Sequence, residues 1–224
     1  MIMAYAEDKK SITTQLKTFW KWLWQSDSWW SYAVFLILVF IFIKFIFLPG
    51  LGLIFGTTLP LAIVESSSMD HHSLLDATGT INICGKTFAD SQSLNINEYW
   101  QTCGTWYEQN TNITKEQFQN FKFKNGFRKG DIMIIVKRKT INIGDTLVFE
   151  AGSAHPIIHR IISLNPIQTK GDHNEAQLIP GNNPYNADER NIQQSKVLGT
   201  AVLKIPWLGW PKLFIVELWN KIVN

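Results

Sequence analysis

The chain has 224 residues, with 21 basic and 18 acidic side chains and a formal net charge of +3. This length allows one domain of ordinary size with an appendage, and so small a charge argues against nucleic acid as a partner. The sequence has neither a Walker-type glycine loop nor a Cys/His cluster with zinc spacing, so it gives no support for nucleotide binding or for a zinc site.

The first predicted elements are a short amphipathic segment and a membrane anchor. Residues 1–28 form the amino-terminal segment, in which "ITTQLKTFWKWLW" at 12–24 predicts a helix lying along a membrane face. Residues 29–54 are almost wholly apolar, with Lys44 as their only charge. Their core reaches the roughly 20 residues that span a bilayer, and tryptophans crowd one end of it, as is typical of a membrane–water boundary. The alternative is a buried helix of a soluble protein.

Four lysines precede the anchor, namely Lys9, Lys10, Lys17 and Lys21. Basic residues set the orientation of a span, while acidic residues contribute little. We therefore expect a single-pass protein of the cell membrane, with its amino terminus in the cytoplasm and residues from about 60 onward outside.

Residues 55–206 predict a β domain outside the membrane. Short runs rich in Ile, Val, Leu, Phe and Thr alternate with turn signals such as "KGD", "IGD" and "PGNNP". With no long helical pattern between them, these runs favour a mainly β fold, an irregular β-sandwich or barrel. The predicted strands are residues 131–140, 146–151, 156–164 and 196–205.

Residues 77–129 are interpreted as an insertion in this domain. Cys84 and Cys103 both fall within it, and an oxidising compartment would let them pair and close a loop of about twenty residues. "TKEQFQNFKF" predicts a short helix capped by Thr114. The triplet "NIT" makes Asn112 a candidate glycosylation acceptor.

The carboxy-terminal tail, residues 207–224, is apolar and aromatic but carries three charged side chains. After Pro211 its pattern predicts an amphipathic helix, too short and too charged for a second span. Packing against the domain and resting on the membrane surface both remain open.

The stretch "VESSSMDHHSLLD" at 64–76 contains the residue types of a nucleophilic site. A serine hydroxyl is a weak nucleophile that needs a base within hydrogen-bond reach, and a third group usually orients that base. Chain order does not identify the base, because the fold brings the partners together. The candidate histidines are His71, His72, His155, His159 and His173.

Several short motifs, taken in order, resemble the type I signal peptidases. "LPLAIVESSSM" is similar to the segment that carries the nucleophile of that family, and "GFRKGDIMIIV" and "IGDTLVF" resemble its paired glycine–aspartate strands. "PIIHRII", "TKGDHN" and "LGTAVLKIPWLGW" are similar to the elements that follow, so the resemblance covers most of residues 50–212. Histidine rather than lysine precedes Arg160, which is the pattern of the archaeal and endoplasmic-reticulum form.

This resemblance implies roles for individual residues. Ser68 would attack the carbonyl that follows a small residue of an exported precursor, and His159 would act as general base and then acid. The backbone N–H of Ser68, with the hydroxyl of Ser66, would form the oxyanion hole. It implies signal peptides of preproteins as substrates, membrane lipid and the translocation machinery as partners, and no metal, cofactor or nucleic acid.

The acid that orients His159 is the least regular part of the pattern. In the family a second aspartate follows the "KGDN" aspartate by about six residues, and here that position is Leu178. We predict that Asp188 takes this role after a turn-rich insertion, with Asp172 in support. The competing hypothesis is that Asp172 contacts His159 and that Asp188 forms at most a surface pair with Arg190.

Three other functions fit parts of the sequence. A non-catalytic, membrane-anchored β subunit of a secretion complex would keep the strands. A serine–lysine protease would use Lys137 or Lys139 as base. A metal hydrolase would use His71, His72 and Asp76, although no fourth ligand is evident.

Overall fold

The computed structural model describes residues 2–76, 78–152 and 155–223. The chain divides into two compact units, one ending at Leu53 and the other beginning at Ile54. The predicted domain boundaries at residues 28, 54 and 206 stay predictions, and the ends of the predicted insertion and tail, at residues 77 and 224, lie outside the described residues.

The amino-terminal unit is helical. Helix α1 (Ile2–Gln25) is longer than the predicted 12–24, and it is followed by α2 (Trp29–Phe42), a π-helical turn (Ile43–Phe47) and α3 (Leu48–Phe55). The Ser31 hydroxyl donates to the carbonyl of Leu23 at 2.9 Å and ties the end of α1 to the start of α2. Trp29–Phe55 forms 27 helical residues that are long and apolar enough to cross a membrane, by length and composition.

The second unit is built on a six-stranded antiparallel sheet with the order β1-β5-β9-β6-β7-β8. Its central strands bury apolar side chains on both faces, and β6 is buried at every position. The strands are β1 (Leu61–Ile63), β5 (Ile132–Val136), β6 (Thr146–Phe149), β7 (Ile157–Leu164), β8 (Ile167–Lys170) and β9 (Val197–Ile205).

The mainly β character predicted for this unit is confirmed in broad terms. All four predicted runs contain a strand, although the first strand ends at Val136 and not at residue 140. The sequence did not predict β8, because "TKGD" resembles a turn. Counted over the described chain, helix outweighs strand, since the amino-terminal unit is helical and the insertion adds two helices.

The insertion and the residues just before it contain a small three-stranded sheet and two helices. The sheet comprises β2 (Leu74–Leu75), β3 (Ile81–Ile83) and β4 (Lys86–Thr87), and the helices are α4 (Ile96–Asn110) and α5 (Lys115–Gln119). Thr114 caps α5 as predicted, whereas α4, and the capping box that Asn95 and Glu98 form at its start, were not predicted from the sequence. Asn112 is exposed just after α4, and its glycosylation stays a prediction.

A disulfide joins Cys84, directly after β3, to Cys103 on α4. Cys103 lies in an aromatic core beneath the helix, where it is buried with Tyr99, Trp100, Tyr107 and Phe118. The disulfide therefore attaches the small sheet to the insertion's own hydrophobic core.

Removing this disulfide should destabilise the domain. It closes a loop with a sequence separation of 19, which in the chain-entropy model contributes roughly 3 kcal/mol to the free energy of unfolding. A Cys84→Ala/Cys103→Ala variant should therefore melt at a lower temperature than the oxidised wild type, as followed by circular dichroism in detergent. A reductant should lower the wild-type melting temperature and leave that of the variant unchanged. Equal melting temperatures for both oxidised proteins would contradict this prediction.

The tail forms helix α6 (Trp210–Val223), which begins one residue before Pro211. The backbone N–H of Gly209 donates to the carbonyl of Gly130 at 2.8 Å and places the start of the helix beside β5. Leu213 is the buried anchor of the helix, with 5% of its surface exposed.

Candidate active site

The serine-rich segment follows directly on β1. The N–H of Val64 donates to the carbonyl of Asp131 at 2.9 Å, which continues the pairing beside β5 up to this point. The hydroxyls of Ser66 and Ser68 then lie 3.2 Å apart. Ser68 is only partly buried, so its hydroxyl is accessible to a substrate.

Backbone contacts on two sides hold Ser68 in place. The Ser68 carbonyl accepts the N–H of His173 at 2.8 Å, and the Met69 carbonyl accepts the N–H of Phe127 at 3.0 Å. The Met69 side chain is 1% exposed, and its sulfur accepts the N–H of Asp172 at 3.4 Å. The turn that follows β8 therefore fixes the position of the serine.

His159 lies on β7 with 2% of its surface exposed. Its Nδ1 is 2.5 Å from Oε1 of Glu189, a fully buried carboxylate. The same Oε1 accepts the Thr169 hydroxyl at 2.8 Å, and Oε2 accepts the N–H of Leu178 at 2.7 Å. These donors fix the carboxylate, so Glu189 holds the imidazole with Nδ1–H donating and Nε2 as the nitrogen that can accept a proton.

The structure does not bring Asp188 to His159, and the predicted pairing is corrected here. The Asp188 carboxylate points outward and accepts from Nε of Arg190 at 3.0 Å, which is the surface pair of the competing hypothesis. Neighbouring side chains of an extended segment point to opposite sides. Ala187 and Glu189 are buried, so Asp188 between them faces solvent. The overlooked signal is Glu189 itself, the acid next to the expected aspartate.

Strand register places the serine segment beside His159. Arg160 of β7 pairs with Lys170 of β8, so one further step puts His159 opposite Gly171. A Cβ atom at Gly171 would lie 2.8 Å from the carbonyl oxygen of Ser68, so the two backbones are in close contact there. The described hydrogen bonds include none between the Ser68 hydroxyl and His159; catalytic hydrogen bonds are often long before substrate binds.

Asp172 contacts Arg160 rather than His159. Nε and Nη2 of the buried Arg160 donate to its two carboxylate oxygens at 2.8 Å and 2.6 Å. Tyr107 and His71 also contact the carboxylate, at 3.2 Å and 3.0 Å. Burial by itself would raise the pKa of Asp172, but the Arg160 guanidinium outweighs it and holds that pKa well below its usual range. Asp172 therefore supports the site by ordering the turn beneath Ser68.

An Asp172→Asn variant should be less stable by roughly 3–5 kcal/mol, because Arg160 would keep an uncompensated buried charge. The lowered pKa also sets a pH dependence. The contribution of this carboxylate is complete above its unfolded-state pKa of about 4 and declines as the pH falls towards the lower folded-state value. Melting temperatures of the two proteins measured between pH 3 and 7 should differ most at neutral pH, and the difference should begin to narrow as the pH falls below 4. A constant difference across this range would contradict the prediction.

The histidines of the metal-hydrolase alternative contact other groups. Nε2 of His71 bonds to Asp172, and its ring stacks on Tyr99 with centroids 3.8 Å apart. Nδ1 of His72 bonds to Asp70 at 2.6 Å. Among the described residues, no group of three or more His, Cys, Asp or Glu side chains could hold a metal ion.

The lysines of the serine–lysine alternative, Lys137 and Lys139, are exposed beyond the end of β5. A different lysine, Lys170, is fully buried beside the site, and the sequence did not predict its importance. Its Nζ donates to the carbonyls of Gly171 and Asn174 at 3.0 Å and 2.7 Å. Burial lowers the pKa of Lys170 to about 8. These contacts give it a role in shaping the turn that supports Ser68.

A buried histidine held by a carboxylate, on a β domain that also presents a partly exposed serine, supplies the residue types that a hydrolase with a serine nucleophile needs. No protein-family model matches the chain. It is 31% identical, over 105 residues, to the signal peptidase complex catalytic subunit SEC11 of Komagataella phaffii, an alignment that covers 41% of this chain and 60% of the relative. It is 30% identical over 102 residues to the subunit of the same name from Lachancea thermotolerans, covering 41% and 59%.

The chain thus spans about three fifths of the length of these curated relatives. Both are named as catalytic subunits of a signal peptidase complex. The resemblance to type I signal peptidases of the endoplasmic-reticulum form is confirmed by this similarity.

Proposed function

We propose that the protein is a membrane-bound serine endopeptidase that removes signal peptides from exported preproteins. The observation that carries the proposal is the buried pair of His159 on β7 with Glu189 from the segment after β8, opposite the turn that holds Ser68. The similarity to SEC11 subunits supports the same activity. The apolar helix Trp29–Phe55 would retain the enzyme in the membrane, with the β domain outside the cytoplasm.

In this mechanism the Ser68 hydroxyl attacks the scissile carbonyl and transfers its proton to Nε2 of His159. Glu189 stabilises the imidazolium through Nδ1–H and remains ionised. The imidazolium then protonates the leaving amine, and water releases the acyl group by the reverse sequence. The backbone N–H of Ser68 and the hydroxyl of Ser66 stabilise the oxyanion, and Asp172 supports the serine segment.

The substrate would bind as an additional strand. Strand β1 leads directly into the serine segment and has a single neighbour, β5, in the described sheet, so its other edge offers backbone groups to an extended peptide. The resemblance to signal peptidases implies that the binding surface beside Ser68 admits only small side chains before the cleaved bond. Membrane lipid and the translocation machinery are the partners that this role requires.

The test is cleavage of a membrane-inserted preprotein by the purified full chain, with the new amino terminus mapped by mass spectrometry. We expect one cut after a small residue, with a rate unchanged by a chelator. Absence of cleavage would favour the non-catalytic subunit, and inhibition by the chelator would favour the metal hydrolase.

A further inference from the structure

Helix α6 turns its charged side towards the β domain. Nζ of Lys212 lies 3.5 Å from Oε1 of Glu65, three residues before Ser68. Glu217, one turn further along, accepts from Nζ of Lys129 at 2.6 Å. Leu213 lies on the same side and is the buried anchor of the helix. The ion pairs and this leucine hold α6 against the domain by its more polar side.

The opposite side of α6 is apolar and exposed. Side chains spaced by three or four residues share one helix face, and here that face carries four large hydrophobic residues, each between 49% and 71% exposed: Phe214, Ile215, Leu218 and Ile222. Trp219, 65% exposed, lies at the edge of this face, two turns after Lys212. Trp207 and Leu208, 70% and 59% exposed, extend this surface ahead of the helix. An amphipathic helix that packs only on its own domain has the reverse arrangement, with its apolar side inward.

We propose that α6 lies in the surface of a lipid bilayer, with this apolar face in contact with acyl chains. The proposal rests on the membrane attachment proposed above and goes beyond it by assigning a second lipid contact to the β domain. The helix has 14 residues, and at 1.5 Å per residue it is too short to cross a bilayer of about 30 Å, so it lies flat.

Two observations favour lipid over a protein partner. The membrane-span candidate Trp29–Phe55 ends only a few residues before β1, so the chain itself keeps the domain near a bilayer. The apolar surface also combines Phe, Leu and Ile with Trp207 and Trp219, the residue types of interfacial helices. Lys212 and Glu217 pair with the domain, which leaves Lys221 as the one charge of the helix without a described ion pair, so the contact depends on apolar area and does not require anionic lipid.

The arrangement also connects the lipid contact to the catalytic segment. Lys212 pairs with Glu65, which stands between β1 and Ser68. A helix fixed at the lipid surface would therefore hold the serine segment close to the place where the apolar part of a signal peptide leaves the bilayer.

Site-directed spin labelling of the full chain in neutral phosphatidylcholine vesicles tests the proposal. The described part of the chain has no free cysteine, so Ile215→Cys and Ile222→Cys each give one labelling site. Asn97→Cys, at an exposed position near the start of α4, is the matched control. Relaxation by oxygen, which partitions into lipid, is compared with relaxation by a water-soluble nickel chelate present on both sides of the bilayer.

We expect the labels at 215 and 222 to be several-fold more accessible to oxygen than to nickel, and the label at 97 to show the reverse. Adding anionic lipid should change neither ratio. Nickel accessibility at 215 and 222 equal to that at 97 would overturn the proposal, and so would protection from both reagents, which would indicate a protein partner such as a second copy. If the labels at 215 and 222 are more accessible to oxygen than to nickel only when anionic lipid is present, the contact depends on charge and its proposed apolar basis is overturned. Because the readout is spectroscopic, it is independent of the proposed peptidase activity.

Discussion

Alanine in place of Ser68, or in place of His159, is expected to abolish cleavage of a membrane-inserted precursor by the purified full chain. The first substitution removes the proposed nucleophile, and the second removes the proposed base that would activate it. Because residues of such a site act as a unit, the double variant should be no slower than either single variant. Initial rates at saturating precursor, followed by gel electrophoresis, measure all three losses.

Ser67→Ala is the matched control for these variants. Ser67 lies between the two serines of the proposed site, and its backbone carbonyl, which the substitution retains, accepts the N–H of Asp70 at 2.8 Å. We expect this variant to keep its activity within a few-fold. His159→Lys should remain nearly inactive, because lysine acts as a base only where its surroundings depress its pKa. Normal activity in Ser68→Ala, or losses that multiply in the double variant, would contradict the assignment.

The second large effect is expected at Glu189. A Glu189→Gln variant keeps the size of the side chain but loses the charge that stabilises the imidazolium and fixes its tautomer. Replacing the buried acid of a serine-protease triad lowers turnover by on the order of ten-thousandfold, and we expect a loss approaching this magnitude. The measurement is the rate of precursor cleavage at saturating substrate.

Asp188→Asn, one residue away, is the control for this prediction. Its carboxylate contacts the exposed Arg190, so cleavage should stay close to the wild-type rate. The amide introduced by Glu189→Gln would place its own donor against the N–H of Leu178, and this could destabilise the fold. Melting temperatures of both variants therefore separate a catalytic loss from unfolding. If Asp188→Asn is inactive while Glu189→Gln cleaves normally, the aspartate is the orienting acid after all.

Much of the local structure is predictable from the sequence, because short-range physics determines it. Apolar β-branched runs between turn signals predicted the strands that contain Ile134, Val148 and Val202. Thr114 signalled the start of α5, and a continuous apolar stretch predicted the helix from Trp29 to Phe55. Helix α4 was missed because its apolar pattern is irregular, and its boundary depends on the Asn95 capping box.

In the candidate site, one residue role could not be predicted from local sequence patterns. The motif resemblance singled out Ser68 and His159 from their neighbours along the chain, but it could not choose the orienting acid. Asp188 and Glu189 differ by one position and one methylene group, and a one-residue step in an extended segment moves a side chain to the opposite side. The long-range pairing of β7 with β8 and the packing of Ala187 decide which carboxylate is buried.

The sequence by itself determined strands β5, β6, β7 and β9, the apolar helix and the types of residue available for catalysis, since these depend on composition and periodicity within a few residues. Only the tertiary structure decided that Arg160 neutralises Asp172, that Glu189 holds His159, and that α6 turns its ion-paired side inward. Each of these outcomes either brings together residues that are distant in sequence or decides between neighbouring acids with the same chemistry. The interaction energy of a buried charge depends on its distance from the partner and on the loss of solvent around both groups, and the folded chain sets both.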